Sequence, residues 1–312
     1  MSLHSIPKVE SADFYLDVAF RRGKEKAAKL PLRKNKDRLR RKIELETTRI
    51  TAVSRALSKK LGQILETFPS FDQLPPFYLE LVKCTIDYRA LKKSLAAVNW
   101  AVNKINDFSS LYVRNIRRCR DEKILMKHKR EFYGRVSSAV KQIKPQLANL
   151  EEARIIMRKF PIVKTSLPTI VIAGYPNVGK TTLLTELTGA DPEIASYPFT
   201  TQRLMIGYCT VNEKKFQFID TPGLLDRPLE KRNSIELQAV LALKHVATKI
   251  FFLIDASESC GYSKEKQLSL LREIKKMFTV PVSVIISKAD ITPQESLAEI
   301  KKKTGAYAVI SS

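Results

Sequence analysis

Cysteine and histidine are scarce in this chain. Cys84, Cys119, Cys209 and Cys260 are scattered without a Cys-x-x-Cys pair, and three histidines occur in 312 residues. That argues against a zinc framework and a disulfide scaffold, and makes the thiols idle groups of a reducing compartment. No apolar run is long enough to span a bilayer, and a signal-peptide core is absent, so a cytoplasmic protein away from the membrane is expected. The chain begins Met-Ser and ends without cysteine, which offers no lipidation site. The single tryptophan, Trp100, falls inside an amphipathic pattern and is expected in the core. The aromatic RNP pattern of RNA-recognition modules is missing too.

Acidic residues are the other shortage: 32 Asp and Glu face 55 Lys and Arg, a formal charge of +23. The imbalance is local. Through Pro168 there are 37 basic against 17 acidic residues, and beyond it 18 against 15. The length fits two domains, and the charge assigns the basic character to the first.

That first half reads as helical. Apolar residues recur at helix spacing through Leu39, Ile43, Ile50, Leu57, Leu61 and Ile64, and again through Leu91, Leu95, Val98, Val102 and Ile105. A third series, Val136, Val140, Ile143, Leu147 and Leu150, contains Pro145, which kinks a helix or marks a boundary. Helices with one apolar stripe must pack together, so an antiparallel all-α bundle over residues 37–160 is expected, with a coiled-coil dimer as the alternative. No oligomer is predicted. Residues 1–36 show little periodicity but carry Arg21, Arg22, Lys24, Lys26, Lys29, Arg33, Lys34 and Lys36, and read as a basic arm that orders on RNA. Arg114, Arg117, Arg118, Arg120, Lys127 and Arg130 are the RNA-binding candidates of the bundle, alongside Lys123 and Lys129. A solvated helix face is the ordinary alternative. Residues 161–168 form a short proline-bounded linker.

The second half, residues 169–312, opens with the strand-like Thr169-Ile170-Val171-Ile172-Ala173. There follow Gly174-Tyr175-Pro176-Asn177-Val178-Gly179-Lys180-Thr181 and a helical stretch starting at Thr181-Thr182. This is the phosphate-loop pattern in its required strand, loop and helix context. Backbone N–H groups and the helix N-terminus favour a polyphosphate, Lys180 reaches its outer phosphates, and the Thr181 hydroxyl is a hard oxygen ligand suited to Mg2+. Asp220-Thr221-Pro222-Gly223 follows another strand: Asp220 can hold Mg2+ through water, and the Gly223 N–H can sense a γ-phosphate. Between them, Tyr197-Pro198-Phe199-Thr200-Thr201 supplies Thr201 as a metal ligand, with Thr200 as alternate. Ser287-Lys288-Ala289-Asp290 ends a further strand, and its carboxylate can accept both guanine N1–H and N2–H2. Each piece has a plain reading as a turn or a helix cap. In this order they point to GTP or GDP with Mg2+ in an α/β P-loop domain, a mostly parallel sheet with helices on both faces and strands near Ile170, Met205, Phe218, Phe252, Ile285 and Val309.

The chain resembles the Nog type of nucleolar GTP-binding protein, of the Obg-like branch of translation-factor-related GTPases, in its short archaeal form. The resemblance rests on the phosphate loop, on Tyr197–Thr201, on the run from Asp220 to Glu236, and on Ser257-Glu258-Ser259-Cys260-Gly261-Tyr262-Ser263; it extends upstream to Leu74-Pro75-Pro76-Phe77-Tyr78. It implies a GTPase bound to the maturing large ribosomal subunit, with its rRNA and proteins as partners; the catalytic candidates are Lys180, Asn177, Thr201 and Gly223, and slow intrinsic hydrolysis is expected. Two departures qualify this. The usual Asn-Lys-x-Asp begins with Ser287, a hydroxyl where an amide would tie the base loop to the phosphate loop. The chain also stops at Ser311-Ser312, where the family has its last guanine-contacting loop, so the usual final helix is expected to be absent: either the chain is a truncation or its nucleotide pocket is incompletely braced. Leu224 stands where Ras-like enzymes carry a water-orienting glutamine. Asn177 can instead help hold a K+ beside the phosphates, or merely shape the loop. A nucleotide switch at another acidic surface, a membrane or a protein, is the competing function; an enzyme acting on tRNA would need a nucleophile and base that the chain lacks outside the GTP site.

Overall fold

The computed structural model describes residues 3–30, 37–189, 191–196, 203–222, 225–226 and 240–311. They form two units, one of residues 1–70 and 86–158, the other of 71–85 and 159–312.

The first unit is helical: α1 (Ala12–Ala28), α2 (Arg38–Thr67), α4 (Tyr88–Arg117), α5 (Glu122–Gln142) and α6 (Lys144–Met157). The apolar stripes do what their spacing predicts. Ile50, Val53, Leu57 and Leu61 of α2 and Leu91, Val98, Ala101 and Ile105 of α4 have no exposed surface, each large side chain contributing roughly 1.5–3 kcal/mol through burial. Asp87 and Asp121 cap α4 and α5 by accepting from Ala90 N and Lys123 N. Pro145 marks a boundary, since it sits in the first turn of α6, where no backbone donor is needed.

The stretch read as a basic arm differs from that expectation. Residues 12–28 are the helix α1, packed against α2. Its buried face is Ala12, Tyr15, Leu16, Ala19, Gly23 and Ala27. Small residues give a weak hydrophobic period yet allow close approach: a Cβ at Gly23 would lie 2.5 Å from Val53 Cγ2. Ser11 caps this helix, and Val9 N donates to Glu151 of α6. Arg33, Lys34 and Lys36 lie outside the described residues. Trp100 is also not a core residue; it is 37% exposed on α4.

Helix α3 (Pro76–Thr85) belongs to the second unit, although it lies between bundle helices in the chain. Its Tyr78 hydroxyl contacts Pro161 O and Val163 O and accepts from Val163 N, while Lys164 N donates to the buried Gln217. The linker 161–168 is thereby pinned to this unit.

The sheet of the second unit contains β1 (Thr169–Ala173), β2 (Glu193–Ser196), β3 (Arg203–Val211), β4 (Lys214–Asp220), β5 (Ala247–Asp255), β6 (Val282–Ser287) and β7 (Ala308–Val309), in the order β2-β3-β4-β1-β5-β6-β7. β4, β1, β5, β6 and β7 run parallel, and β3 is antiparallel to both β2 and β4. Among the described residues, the short β2 is the one strand that the apolar pattern did not reveal. α7 (Lys180–Thr188), α8 (Lys264–Met277) and α9 (Gln294–Thr304) pack against the sheet. Register brings Ile172 beside Asp220 and Asp255 beside Ser287, so four loops leave the same edge, where ligands bind in such sheets.

Candidate functional site

At that edge lies a cavity of about 500 Å3. Pro176, Asn177, Val178, Gly179, Lys180, Thr181 and Thr182 line it from the phosphate loop, with Asp220, Ser287, Lys288 and Ser311 opposite. Residues more than a hundred positions apart thus meet in one place.

The loop geometry depends on its glycines. Gly174 has φ +139 and a Cβ there would sit 2.6 Å from Leu253 O; Gly179 has φ +94 at the N-terminus of α7. Asn177, also at positive φ (61), is exposed and asparagine tolerates that conformation. Lys180 is buried, and its ammonium donates to Gly174 O at 2.9 Å and Tyr175 O at 2.8 Å. Burial pushes its pKa down, against the pull of Asp220 and Asp226. Thr181 Oγ1 donates to Asp220 Oδ2 at 2.8 Å. Asp220 has no exposed surface; burial raises its pKa, with Lys180 and Thr181 opposing.

Asp220 Oδ1 is buried without a hydrogen-bond partner among the described residues. A threonine hydroxyl beside a carboxylate with an unused oxygen is a donor set that suits Mg2+, which keeps several waters and takes one or two protein oxygens plus phosphates. Among the described residues no cluster of His, Cys, Asp and Glu could cage a metal without them.

On the base side, Ala289 N donates to Ile310 O and Ile310 N to Ile286 O, so the turn after Lys288 is tied to the segment after β7 that carries Ser311. Asp290 lies on that exposed turn and is not part of the cavity lining; Gly174 and Tyr175 contribute through the carbonyls that hold Lys180. Lys288 has φ +56 and its Nζ lies 3.1 Å from Asp255 Oδ2. Thr200, Thr201, Gly223, Leu224 and Ser312 lie outside the described residues. Sequence reasoning missed Asp226, Glu186 and Asp255. Asp226 lines the cavity, and its place six residues after Asp220 is the signal that was open to notice.

The helical unit separates the arginine cluster. Arg114, Arg117, Arg118, Arg120, Lys127 and Arg130 are all exposed. Arg117 joins Arg22 and Lys26 of α1, Lys29 just beyond its end, and Arg55 and Lys59 of α2 around a groove of about 620 Å3, whereas Arg118 and Arg120 face His128 of α5. Lys129 is partly buried and ion-paired with the buried Glu46, together with Arg49. Among the described residues no helix is long and apolar enough to cross a membrane.

Two family models match the chain: the NOG1 N-terminal helical domain over residues 3–164 and nucleolar GTP-binding protein 1 over 234–290. An uncharacterised protein of Methanocaldococcus jannaschii is 42% identical over 93% of this chain and 81% of its own length. Nucleolar GTP-binding protein 1 of Arabidopsis thaliana is 36% identical over 78% of this chain, and that of Candida glabrata 34% over 97%. The chain spans only 36% and 47% of those two longer proteins. A solved Plasmodium falciparum structure carrying the same name matches 49% of this chain and 80% of its own, at 31% identity and a TM-score of 0.42. A helical unit matched from end to end by one model, a phosphate loop with its strand-end partners, and a relative aligned over most of both lengths together establish that the chain belongs to the nucleolar GTP-binding protein 1 family.

Proposed function

We propose that this protein binds GTP and GDP with Mg2+, hydrolyses GTP slowly, and acts in assembly of the large ribosomal subunit while its helical unit holds rRNA. The observation that carries the nucleotide reading is the convergence of Lys180, Thr181, Asp220, Ser287, Lys288 and Ser311 on one cavity. Thr181 and Asp220 would hold Mg2+, with Thr201 as a further ligand, and the ion supplies charge neutralisation at the phosphates. Lys180 binds and orients the outer phosphates. The helix N-terminus at Lys180 adds its partial positive charge. Leu224 cannot orient water, which supports a low intrinsic rate; Asn177 is the residue through which K+ would raise it. Hydrolysis rates that are equal in K+ and Na+, with and without large subunits, would refute that part.

The rRNA reading is supported by the net basic charge of the helical half and by the groove between α1 and α2. Recognition would be by backbone and shape, in whichever compartment large subunits are assembled. The test is sedimentation with purified large ribosomal subunits, with the protein bound to a non-hydrolysable GTP analogue, to GDP, or to nothing. Co-sedimentation favouring the GTP state supports the assembly role. Absence in every state favours a switch at another acidic surface, and Lys180→Ala should abolish the nucleotide dependence while leaving salt-sensitive RNA binding intact.

A further inference from the structure

Ser287 leaves a specific gap in the base loop. Among the described residues its Oγ reaches only Ile254 O on the neighbouring strand, at 3.4 Å, and so does not join the base loop to the phosphate loop. A different connection is present. The Asp255 carboxylate, without exposed surface, accepts from Ser257 N and Oγ, Ser259 Oγ and Cys260 N, which folds residues 255–260 into a tight turn. Lys288 Nζ reaches into that turn, 3.1 Å from Asp255 Oδ2 and 2.8 Å from Ser259 Oγ.

The far end of the same loop touches the phosphate loop. The Tyr262 ring stacks on Tyr175 at 4.2 Å between centroids and 29° between planes. Tyr175 O accepts from Lys180. Between the two ends stands Gln267, fully buried: it accepts from Asp255 N and donates to Asp255 O and Tyr262 O, each at 2.9 Å. An unbroken line of contacts therefore runs from Lys288 through Asp255 and Gln267 to Tyr262, Tyr175 and Lys180.

We infer that the loop from Asp255 to Tyr262 is a positioning brace, holding the guanine-reading turn at Lys288–Asp290 to the phosphate loop in place of the amide that Ser287 lacks. This rests on the nucleotide reading of the cavity. A charged hydrogen bond to the buried Asp255 at one end and an aromatic stack at the other resist separation of the two loops. The brace thus fixes the guanine-reading turn relative to the phosphate loop, although no residue from Asp255 to Tyr262 lines the cavity.

The experiment is a titration of the full chain with a fluorescent GDP and with inorganic triphosphate, in wild type, Asp255→Asn, Ser259→Ala, Ser287→Asn and the two double variants. Wild type binding GDP, with Asp255→Asn weakening it about tenfold and Ser259→Ala about threefold, is the expected result. Triphosphate affinity should change less than twofold. Adding Ser287→Asn should recover most of the GDP loss in either background, because the amide restores the missing tie. A purely structural role for Asp255 gives no such rescue, and lack of rescue overturns the brace. GDP affinity unaltered in both single variants overturns it as well. If Asp255→Asn does not fold, Ser259→Ala decides by the same criteria. A wild type that binds triphosphate but no guanine nucleotide removes the nucleotide reading itself, a result distinct from failed rescue.

Discussion

The Thr181 hydroxyl donates to Asp220 at 2.8 Å, across 39 residues of chain, and leaves the second carboxylate oxygen of Asp220 buried and without a partner among the described residues. Substituting Asp220→Asn removes the charge that would hold Mg2+ while keeping the shape. The Mg2+-dependent gain in affinity for a GTP analogue should disappear, a loss of about tenfold or more, or ~1.4 kcal/mol. Titrations with and without EDTA check this: wild type should respond to the chelator and the variant should not.

Gly174→Ala should damage the same site from the backbone. A Cβ at φ +139 would lie 2.6 Å from Leu253 O, and strain of this kind costs on the order of 1–3 kcal/mol. The expected outcome is a lower melting temperature and loss of the stabilisation that GDP gives wild type, both read in one thermal-shift series.

Asp255 makes stability depend on acid in a definite direction. Burial pushes its pKa up, but hydrogen bonds from Ser257, Lys288, Ser259 and Cys260 outweigh this and hold it below the ordinary 3.8. The folded carboxyl then gives up its proton more readily than the unfolded one. Its contribution is complete above the unfolded value and is lost as pH falls through the lower folded value. The melting-temperature gap between wild type and Asp255→Asn should be widest above about pH 5 and should narrow on acidification below 3.8.

Tyr78→Phe deletes a hydroxyl that meets Pro161 O, Val163 O and Val163 N. Those backbone groups are left without that partner, at a cost of about 1–2 kcal/mol. Denaturant unfolding should show that loss with GDP affinity unchanged, since Tyr78 is not among the cavity's lining residues.

Arg55 and Lys59 test the groove. Replacing both by Gln should weaken binding to rRNA fragments evenly across sequences and reduce the slope of log affinity against log salt by about 0.7–0.9 for each phosphate no longer neutralised. An unchanged slope would assign RNA binding to the Arg118 and Arg120 face instead.

Much of the molecule was legible in the chain because the relevant chemistry is local. The phosphate loop, Asp220 at a strand end, and Ser287 to Asp290 each need groups within a few residues of one another. The long helices α2 and α4 announce themselves through large apolar residues at a 3.6-residue period. Charge asymmetry needs only counting. The tertiary structure decided what depends on distant partners. α1 is a packed helix because Gly23 and its alanines let it approach α2 closely, a face too small to show in a hydrophobic pattern. α3 joins the nucleotide-binding unit through Tyr78, whose bonds are to residues 83 and 85 positions away. Arg117 and Arg118 diverge because successive helical residues point about 100° apart. Lys288 finds Asp255 only because β5 and β6 are neighbours in register, so that two strand ends far apart in the chain emerge side by side.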